Sequence, residues 1–472
     1  MRTLKILIAF IVLGSLQSCF VAKDYEQPEI VKDEYYRTDN ISKDSLNMAN
    51  VSWTKMFTDP VLQDYIEKGL QNNIDIRVAI QQILAAEAYV KQGKAAYFPT
   101  LSGDATFTRN YFSENGQLGL QLGNSGAGGS SISYLDNYQL AGNLSWEADI
   151  WGRITSAKRA FQAEYLQTVA AHQAVKTRLI ADIASNYYQL LALDEQIRIT
   201  KQTIKNRENS LETTKALKEA GNVTEVGVKQ TEAQLYTSQA ILIDLENEAR
   251  LLENAFSILL AEAPMQIDRT DLSQQEITTD LHIGVPAQLL RNRPDVIAAE
   301  YNLMNAFQLT NVAKADFYPS LTLSATGGLQ SLEFEDLFSA NSLFANLAGG
   351  LTQPIFNSRR IRTEYEVSQA QQEEARLNFR ETYLIATREV MDALYSYEAS
   401  TKKIDIRQKE YAAYNLATEY SEELLNNGLA NYLEVLTARE NALNSSLNLI
   451  DAKYNQLKAV VELYEALGGG WK

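Results

Sequence analysis

The chain has 472 residues, with 59 acidic and 43 basic side chains, and its net charge at pH 7 is −16. Because a chain with this much negative charge repels phosphate groups, nucleic acid is not an expected partner. Only 8 prolines and 23 glycines interrupt the sequence, which leaves room for very long regular elements.

The N-terminus has the features of a lipoprotein signal. Arg2 and Lys5 precede a short apolar run, and the sequence then reaches Cys19, the only cysteine in the chain. The run is too short to cross a bilayer as a helix, which favours a signal peptide over residues 1–18. Cys19 cannot form an internal disulfide and is the predicted acylation site. Phe20 follows rather than an acidic residue, which is typical of lipoproteins sent on to the outer membrane.

An internal repeat organises the remainder. The sequence from Lys94 to Ser102 matches the sequence from Lys314 to Thr322, 220 residues further on. Each half predicts a helix (about 59–95 and 286–315), a pair of strands, a very long helix and a shorter helix back. Two halves with the same elements in the same order indicate a duplicated structural unit.

Two very long helices are predicted from stretches without glycine or proline. Residues 153–220 and 355–427 contain no glycine or proline and are rich in Ala, Glu, Gln, Leu, Lys and Arg. At 1.5 Å per residue, each would be roughly 100 Å long. One broad apolar face includes Ile180, Ile183 and Tyr187, which suits a helix with neighbours on two sides, as in the wall of a tube.

Four segments alternate between apolar and polar residues, over 100–112, 134–146, 320–330 and 343–353. This pattern predicts transmembrane strands with one face toward lipid, although a half-buried sheet of a soluble domain alternates in the same way. Four strands cannot close a barrel, whereas three copies of the chain would supply twelve.

Ordered motifs then carry a family resemblance. The sequence resembles the TolC-like outer membrane factor family, and within it the lipoprotein branch of resistance-nodulation-division (RND) efflux systems. The motifs are Trp53 with Phe57 to Pro60, Asp149 to Ile154, Arg293 to Glu300, Phe317 to Leu321, Pro354 to Phe356, Asn426 to Leu436, and Ala466 to Trp471.

The resemblance implies an α+β membrane protein. Three chains would form a twelve-stranded transmembrane β-barrel, continued by a long α-helical barrel with a mixed equatorial region. It implies a passive exit duct in the outer membrane that is lipid-anchored through Cys19 and extends into the periplasm. The implied partners are two more copies of the chain, outer-membrane lipid, a periplasmic adaptor (membrane fusion protein) and an inner-membrane pump. A type I protein-secretion duct and a non-conducting coiled-coil lipoprotein remain as alternatives.

The expected organisation follows the repeat. A signal peptide (1–18) and a lipid-anchored segment (19–58) precede the first repeat (59–263). A linker (264–285) leads to the second repeat (286–467), and a short tail (468–472) ends the chain.

The tips of the helical hairpins are the candidate gate and adaptor-docking surface. Gly221 and Gly428 each follow a long helix where a positive φ is expected. Asn431 and Tyr432 belong to the second tip. Several members of the family have an aspartate at the position of Thr437 and another near Gly227, whereas the acidic residues closest to those positions here are Glu434 and Glu225. Our hypothesis is an anionic ring of Glu434 at the constriction, with a solvated surface glutamate as the alternative.

Nothing in the sequence indicates an enzyme. His172 and His282 are the only histidines, and no metal-ligand spacing, nucleotide-binding loop or nucleophile motif occurs. Arg293 to Asp295 is better explained as a helix start than as a catalytic group. No cofactor or metal is expected.

Overall fold

The computed structural model describes residues 21–29, 50–113, 116–117, 134–275 and 288–471. The chain divides into two compact units. The first unit comprises Met1–Gln27, Ala85–Tyr165 and Tyr301–Arg376, and the second comprises Pro28–Leu84, Leu166–Glu300 and Leu377–Lys472. Within the described part of the chain, no helix combines the length and apolar character needed to cross a membrane.

Nine α-helices and four strands make up the described regular structure. In chain order they are α1 (Trp53–Met56), α2 (Pro60–Asn72), α3 (Ile74–Ala95), β1 (Thr100–Tyr111), β2 (Tyr134–Ala148), α4 (Arg153–Glu219), α5 (Glu225–Leu259), α6 (Leu289–Asn292), α7 (Pro294–Ala315), β3 (Ser320–Ser331), β4 (Leu343–Thr352), α8 (Arg360–Asn426) and α9 (Tyr432–Ala466). Short 3₁₀ turns lie at Leu272–Gln274 and Ala340–Ser342.

The repeat is visible in the lengths of the helices. Helices α3 and α7 have 22 residues each, α4 and α8 have 67 each, and α5 and α9 have 35 each. The two long helices and the four strands lie where the sequence predicted them, within a few residues at their ends. The domain boundaries proposed from the sequence remain a prediction.

The first unit contains one antiparallel sheet in the order β1-β2-β3-β4. Its register aligns apolar residues across all four strands. One such row is Leu101, Leu144, Ala325 and Leu347, and another is Ala105, Leu140, Leu329 and Leu343. These rows belong to the face that the alternation predicted to be apolar.

The opposite face of the sheet is polar. Ser102, Asn143, Thr326 and Asn346 form one row across it. The Thr326 hydroxyl donates to Asn143 Oδ1 at 2.7 Å. Gly328 permits the close approach of β2 and β3, because an added Cβ would lie 2.0 Å from the Leu140 carbonyl oxygen. The sheet therefore has one face suited to lipid and one suited to water.

The core of the second unit forms where α2, α4 and α5 meet. Ile183 and Tyr187 have no exposed surface, and Phe256 packs edge-on against Tyr65 with centroids 5.2 Å apart. Gly69 lets α2 approach α4, since an added Cβ would lie 2.5 Å from Ile183 Cδ1. The broad apolar face predicted for α4 is thus buried.

The expectation of one helix over 59–95 was wrong in one detail, because the chain breaks between α2 and α3. Asn73 sits at the break with ψ of 134°, and its side-chain oxygen accepts from the N–H groups of Asp75 at 2.9 Å and Ile76 at 3.2 Å. Its amide donates to Leu259 O at 2.9 Å, which holds the break against the end of α5. The second repeat breaks similarly at Arg293, between α6 and α7.

Candidate functional site: the helical tips and the strand–helix junction

The two helix–helix turns of the second unit have the same backbone geometry. Gly221 has a φ of +79° and Gly428 a φ of +69°. No atom lies within 4 Å of a Cβ added at either position, so the left-handed conformation alone favours glycine. The turns are closed by the hydrogen bonds Gly221 N–Lys218 O at 2.9 Å, Asn222 N–Leu217 O at 2.9 Å, Gly428 N–Leu425 O at 3.0 Å and Leu429 N–Leu424 O at 2.8 Å. This paired bonding pattern is the usual glycine-terminated end of a helix.

The two tips differ in how their acidic residues are held. Glu225 is exposed, and Lys218 Nζ lies 2.5 Å from its carboxylate across the first tip. The hydrogen bond from Lys218 lowers the pKa of Glu225. Glu434 is also exposed, and the amide of Asn431 holds it, with Asn431 Nδ2 donating to Glu434 Oε1 at 3.0 Å. A cation therefore compensates Glu225, whereas a neutral group holds Glu434.

Tyr432 connects the two tips within the second unit. The Thr231 hydroxyl donates to Gly227 O at 2.8 Å, and its oxygen lies within hydrogen-bond distance of the Tyr432 hydroxyl, at 3.0 Å. Gly227 is buried beside this contact, and a Cβ added at Gly227 would lie 3.9 Å from Tyr432 Cδ1. Thr437 is exposed and donates to Leu433 O at 2.9 Å within its own helix. Tyr432, one of the predicted site residues, is thus held directly by the other hairpin.

Sequence reasoning missed a polar junction joining α4, α5, α8 and α9 within the second unit. Arg439 donates to Glu422 Oε1 at 2.8 Å and to the Ser210 hydroxyl. Arg207, 5% exposed, donates to the Gln234 carbonyl. Burial lowers the pKa of Arg207, and Arg439 adds repulsion while Glu440 opposes both. Its signal in the sequence is the spacing of Arg207, Ser210 and Thr214, which places polar residues on one face of α4.

A second candidate region, the strand–helix junction, lies in the first unit where strands meet helices (residues 147–153 and 315–320). Asp149 caps α4, accepting from the N–H groups of Ile154 and Thr155 at 2.8 Å each. The Trp151 indole donates to Pro319 O at 2.7 Å and stacks on Tyr318 at 5.0 Å. Motifs from the two repeats therefore bind each other here.

A cavity of about 330 Å³ opens at the strand–helix junction. Arg153 lines it and makes a bidentate pair with Glu147 at 3.0 and 2.6 Å. Asp316 also lines it, and burial raises the pKa of that carboxyl against the opposing charge of Arg153. Among the described residues, no group of His, Cys, Asp and Glu side chains is arranged to hold a metal ion.

Two sequence-predicted features fall elsewhere. Cys19 and His282 lie outside the described residues. Arg293 links α7 to α8 within the second unit. Its guanidinium donates to Asp295 at 2.9 and 2.6 Å and to Glu389 at 2.6 Å. As the sequence predicted, α7 begins at Pro294, directly after it.

Long paired helices joined to a short, two-faced sheet define a class of outer-membrane channels. The chain has the fold of the solved outer-membrane channel OprN, with a TM-score of 0.85 and 24% sequence identity, over 96% of this chain and 100% of that one. The sequence profile described as outer membrane efflux protein matches residues 65–261 and 285–469, so the chain belongs to the outer membrane efflux protein family.

Two curated relatives match along almost their whole lengths. The cation efflux system protein CusC of Escherichia coli O6:H1 is 26% identical over 472 residues, covering 99% of each chain. The solvent efflux pump outer membrane protein SrpC of Pseudomonas putida is 27% identical over 471 residues, covering 98% of this chain and 97% of the relative.

Proposed function

We propose that the chain is the outer-membrane duct of a tripartite efflux system of the RND type, working as a homotrimer anchored through acylated Cys19. The observation that carries this proposal is the sheet with two free edges. Among the described strands, β1 pairs only with β2, and β4 pairs only with β3. Unpaired backbone groups are costly in hydrocarbon, so the edges must pair with other chains. Three copies joined edge to edge supply twelve strands, which can close.

The test is the mass and conductance of the purified protein. We expect a trimer in detergent and single-channel currents after reconstitution into planar bilayers. A monomer would contradict the assembly. A folded trimer without conductance would contradict the duct and favour the non-conducting coiled-coil lipoprotein.

The proposed partners are a periplasmic adaptor and an inner-membrane pump, with the adaptor docking on the tips around Gly221, Gly428, Asn431 and Tyr432. Support comes from the names of the two relatives, which place them in a cation efflux system and a solvent efflux pump. Because those substrates differ while the fold is shared, the substrate is expected to be chosen by the pump. Co-purification with an RND pump and adaptor, rather than with a peptide-exporting ATPase, would separate this proposal from a type I secretion duct.

The tips are also the proposed gate. Three copies of Glu434 around a threefold axis would form an anionic ring that favours cations. The structure supports Glu434 over Glu225 for this role, because Lys218 neutralises Glu225 while Glu434 is held by the amide of Asn431. Thr437, one turn further along α9, would face the same aperture without adding charge.

The gate is tested by ion selectivity. We expect Glu434→Gln to lower the cation-to-anion permeability ratio severalfold, because it removes three like charges from a narrow passage. Glu225→Gln is the matched control and should change the ratio much less. Reversal potentials in a salt gradient measure both. Unchanged selectivity in Glu434→Gln would rule out the anionic ring.

A further inference from the structure

The segment that follows Cys19 is bound in a defined position within the first unit. Val21 and Ala22 are both 8% exposed. Tyr25 packs edge-on against Phe307 of α7, with centroids 5.7 Å apart. Asp24 lies 3.2 Å from Arg159 of α4. The segment 21–25, called here the N-terminal segment, is therefore packed against two helices.

One amide side chain holds the backbone of the N-terminal segment. Asn311 Oδ1 accepts from the Lys23 N–H at 3.3 Å, and Asn311 Nδ2 donates to the Lys23 carbonyl at 3.0 Å. Lys314 Nζ adds a bond to the Val21 carbonyl at 3.3 Å. Asn311 is only 5% exposed, so it satisfies both backbone groups of one residue in a site largely closed to water.

The contacts also fix the direction in which the segment runs. Tyr25 meets Phe307, Lys23 meets Asn311 and Val21 meets Lys314, so the N-terminal segment runs antiparallel to α7. Helix α7 ends at Ala315 and leads into β3 at Ser320. Followed toward its N-terminus, the segment therefore approaches the strand–helix junction. Cys19 precedes Val21 by two residues in the sequence.

Gly152 gives an independent reason to regard this path as built into the fold. A Cβ added there would lie 3.2 Å from Ala22 Cβ, and its φ of +77° already disfavours other residues. The motif glycine thus lies where the N-terminal segment passes.

The two repeats differ at the position of Asn311. The corresponding residue of the first repeat, 220 positions earlier, is Lys91 of α3. Lys91 has a side chain 71% exposed and pairs with Glu87 at 2.9 Å in its own helix. The second-repeat helix therefore carries a residue suited to binding an extended peptide, whereas the first-repeat helix carries an exposed lysine at the corresponding position.

From these contacts we infer that α7 carries a binding site for the N-terminal segment, and that Asn311 is the positioning residue that delivers the acylated end to the strand–helix junction. The inference rests on the proposed acylation of Cys19. Acyl chains alone would confine the N-terminus to the membrane but would not fix its position relative to the rest of the protein. The two hydrogen bonds between Asn311 and Lys23, called here the amide clamp, would fix that position. It lies at the end of the sheet where Trp151 and Tyr318 present amphipathic rings.

Hydrogen exchange of the full-length trimer tests the clamp. In Asn311→Ala we expect amides of the N-terminal segment to exchange roughly tenfold faster than in the wild type, because two hydrogen bonds to Lys23 are lost. Asn305→Ala is the matched control, since Asn305 lies on the same helix and its amide donates to Ala160 O at 2.9 Å, a backbone group outside the segment. Exchange like the wild type in Asn311→Ala, or equally fast exchange in Asn305→Ala, would overturn the inference.

A photoactivatable palmitate analogue tests the placement. In the wild type we expect cross-links concentrated on peptides containing Trp151 and Tyr318, and in Asn311→Ala we expect them to spread to other positions. Failure to incorporate palmitate would overturn the acylation, and this inference with it. Incorporation with identical cross-links in both proteins would overturn only the role of Asn311.

Discussion

Asp59 is a buried carboxylate at the start of α2 that joins three parts of the second unit. It accepts from Val61 N at 2.8 Å as a helix cap, from the Tyr187 hydroxyl at 3.0 Å and from Gln275 Nε2 at 2.8 Å. The Thr270 hydroxyl also donates to it. Burial tends to raise the pKa of Asp59, but the hydrogen bonds from Thr270, Gln275, Val61 and Tyr187 outweigh burial and lower it.

Replacing Asp59 tests this account. We expect Asp59→Ala to destabilise the protein by about 2–3 kcal/mol at pH 7, since buried donors lose their acceptor. Because the folded pKa lies below the ordinary 3.8, the ionised carboxylate stabilises the fold above that pH, and the contribution is lost as pH falls through the folded pKa. Asp59→Asn should therefore be less acid-sensitive than the wild type. Thermal unfolding in detergent at pH 7 and pH 3 measures the stability of both variants. Asp64→Asn is the control, because Asp64 is exposed on α2, and it should change the melting temperature little at either pH.

At the scale of elements, the equal helices α5 and α9 begin differently. Asn431 caps α9, with its side chain accepting from Glu434 N at 3.1 Å, and its amide reaches back to the Glu434 carboxylate. Thr224 occupies the same place before α5 and makes no side-chain capping bond. The start of the helix is thus capped by a side chain in the second repeat, where the gate is proposed, and lacks that cap in the first.

The difference in caps predicts a difference in local stability. Asn431→Ala should cost about 1 kcal/mol at the start of α9, whereas Thr224→Ala should cost much less at the start of α5. Hydrogen exchange of residues 432–436 and 225–229 reports each helix start separately. Equal changes in the two variants would show that the capping geometry does not matter at these tips.

At the scale of the whole chain, the second unit gathers charged groups from distant parts of the sequence near its C-terminal helix. Burial is the main reason that the pKa of Glu465 rises to about 7. Asp182 and Glu389 add repulsion, while Arg293 and Arg178 oppose it. Arg293 is itself engaged by Asp295 and Glu389, so it compensates Glu465 only in part.

This cluster makes stability depend on pH near neutrality. A folded pKa near 7, above the ordinary 4.5, means that the folded state retains a proton that the unfolded chain releases. The stabilisation is present below pH 4.5 and is lost as pH rises through 7. Glu465→Gln should raise the melting temperature by roughly 2–4 °C at pH 8 and have little effect at pH 5. Glu462→Gln, one turn earlier and paired with Lys458, is the control and should show no such pH dependence.

Much of the fold follows from local patterns. Glycine-free and proline-free runs predicted α4 and α8, period-two alternation predicted the strands, and matching motifs predicted the repeat. The break at Arg293 has a local signal, because Pro294 marks the start of α7. The break at Asn73 could not be predicted in this way, because Asn73 is held there partly by a bond to Leu259, 186 residues further along the chain. The tips were found from their glycines, but the link from Thr231 to Tyr432 required two hairpins 201 residues apart to come together.

The sequence by itself determined which elements form, because helix length, strand alternation and glycine turns depend on residues that are neighbours in the chain. It also determined the outer-membrane efflux family, through motifs in a fixed order. Only the tertiary structure decided which charges are compensated: Glu225 by Lys218, Glu434 by an amide, and Arg207 by a carbonyl in a buried site. It also decided that the N-terminal segment lies along α7. The bonds from Arg207 to the Gln234 carbonyl and between Asn311 and Lys23 join residues 27 and 288 positions apart, so no local pattern encodes them. The two tip contacts join residues closer in sequence, and the side-chain geometry of the turns decides them.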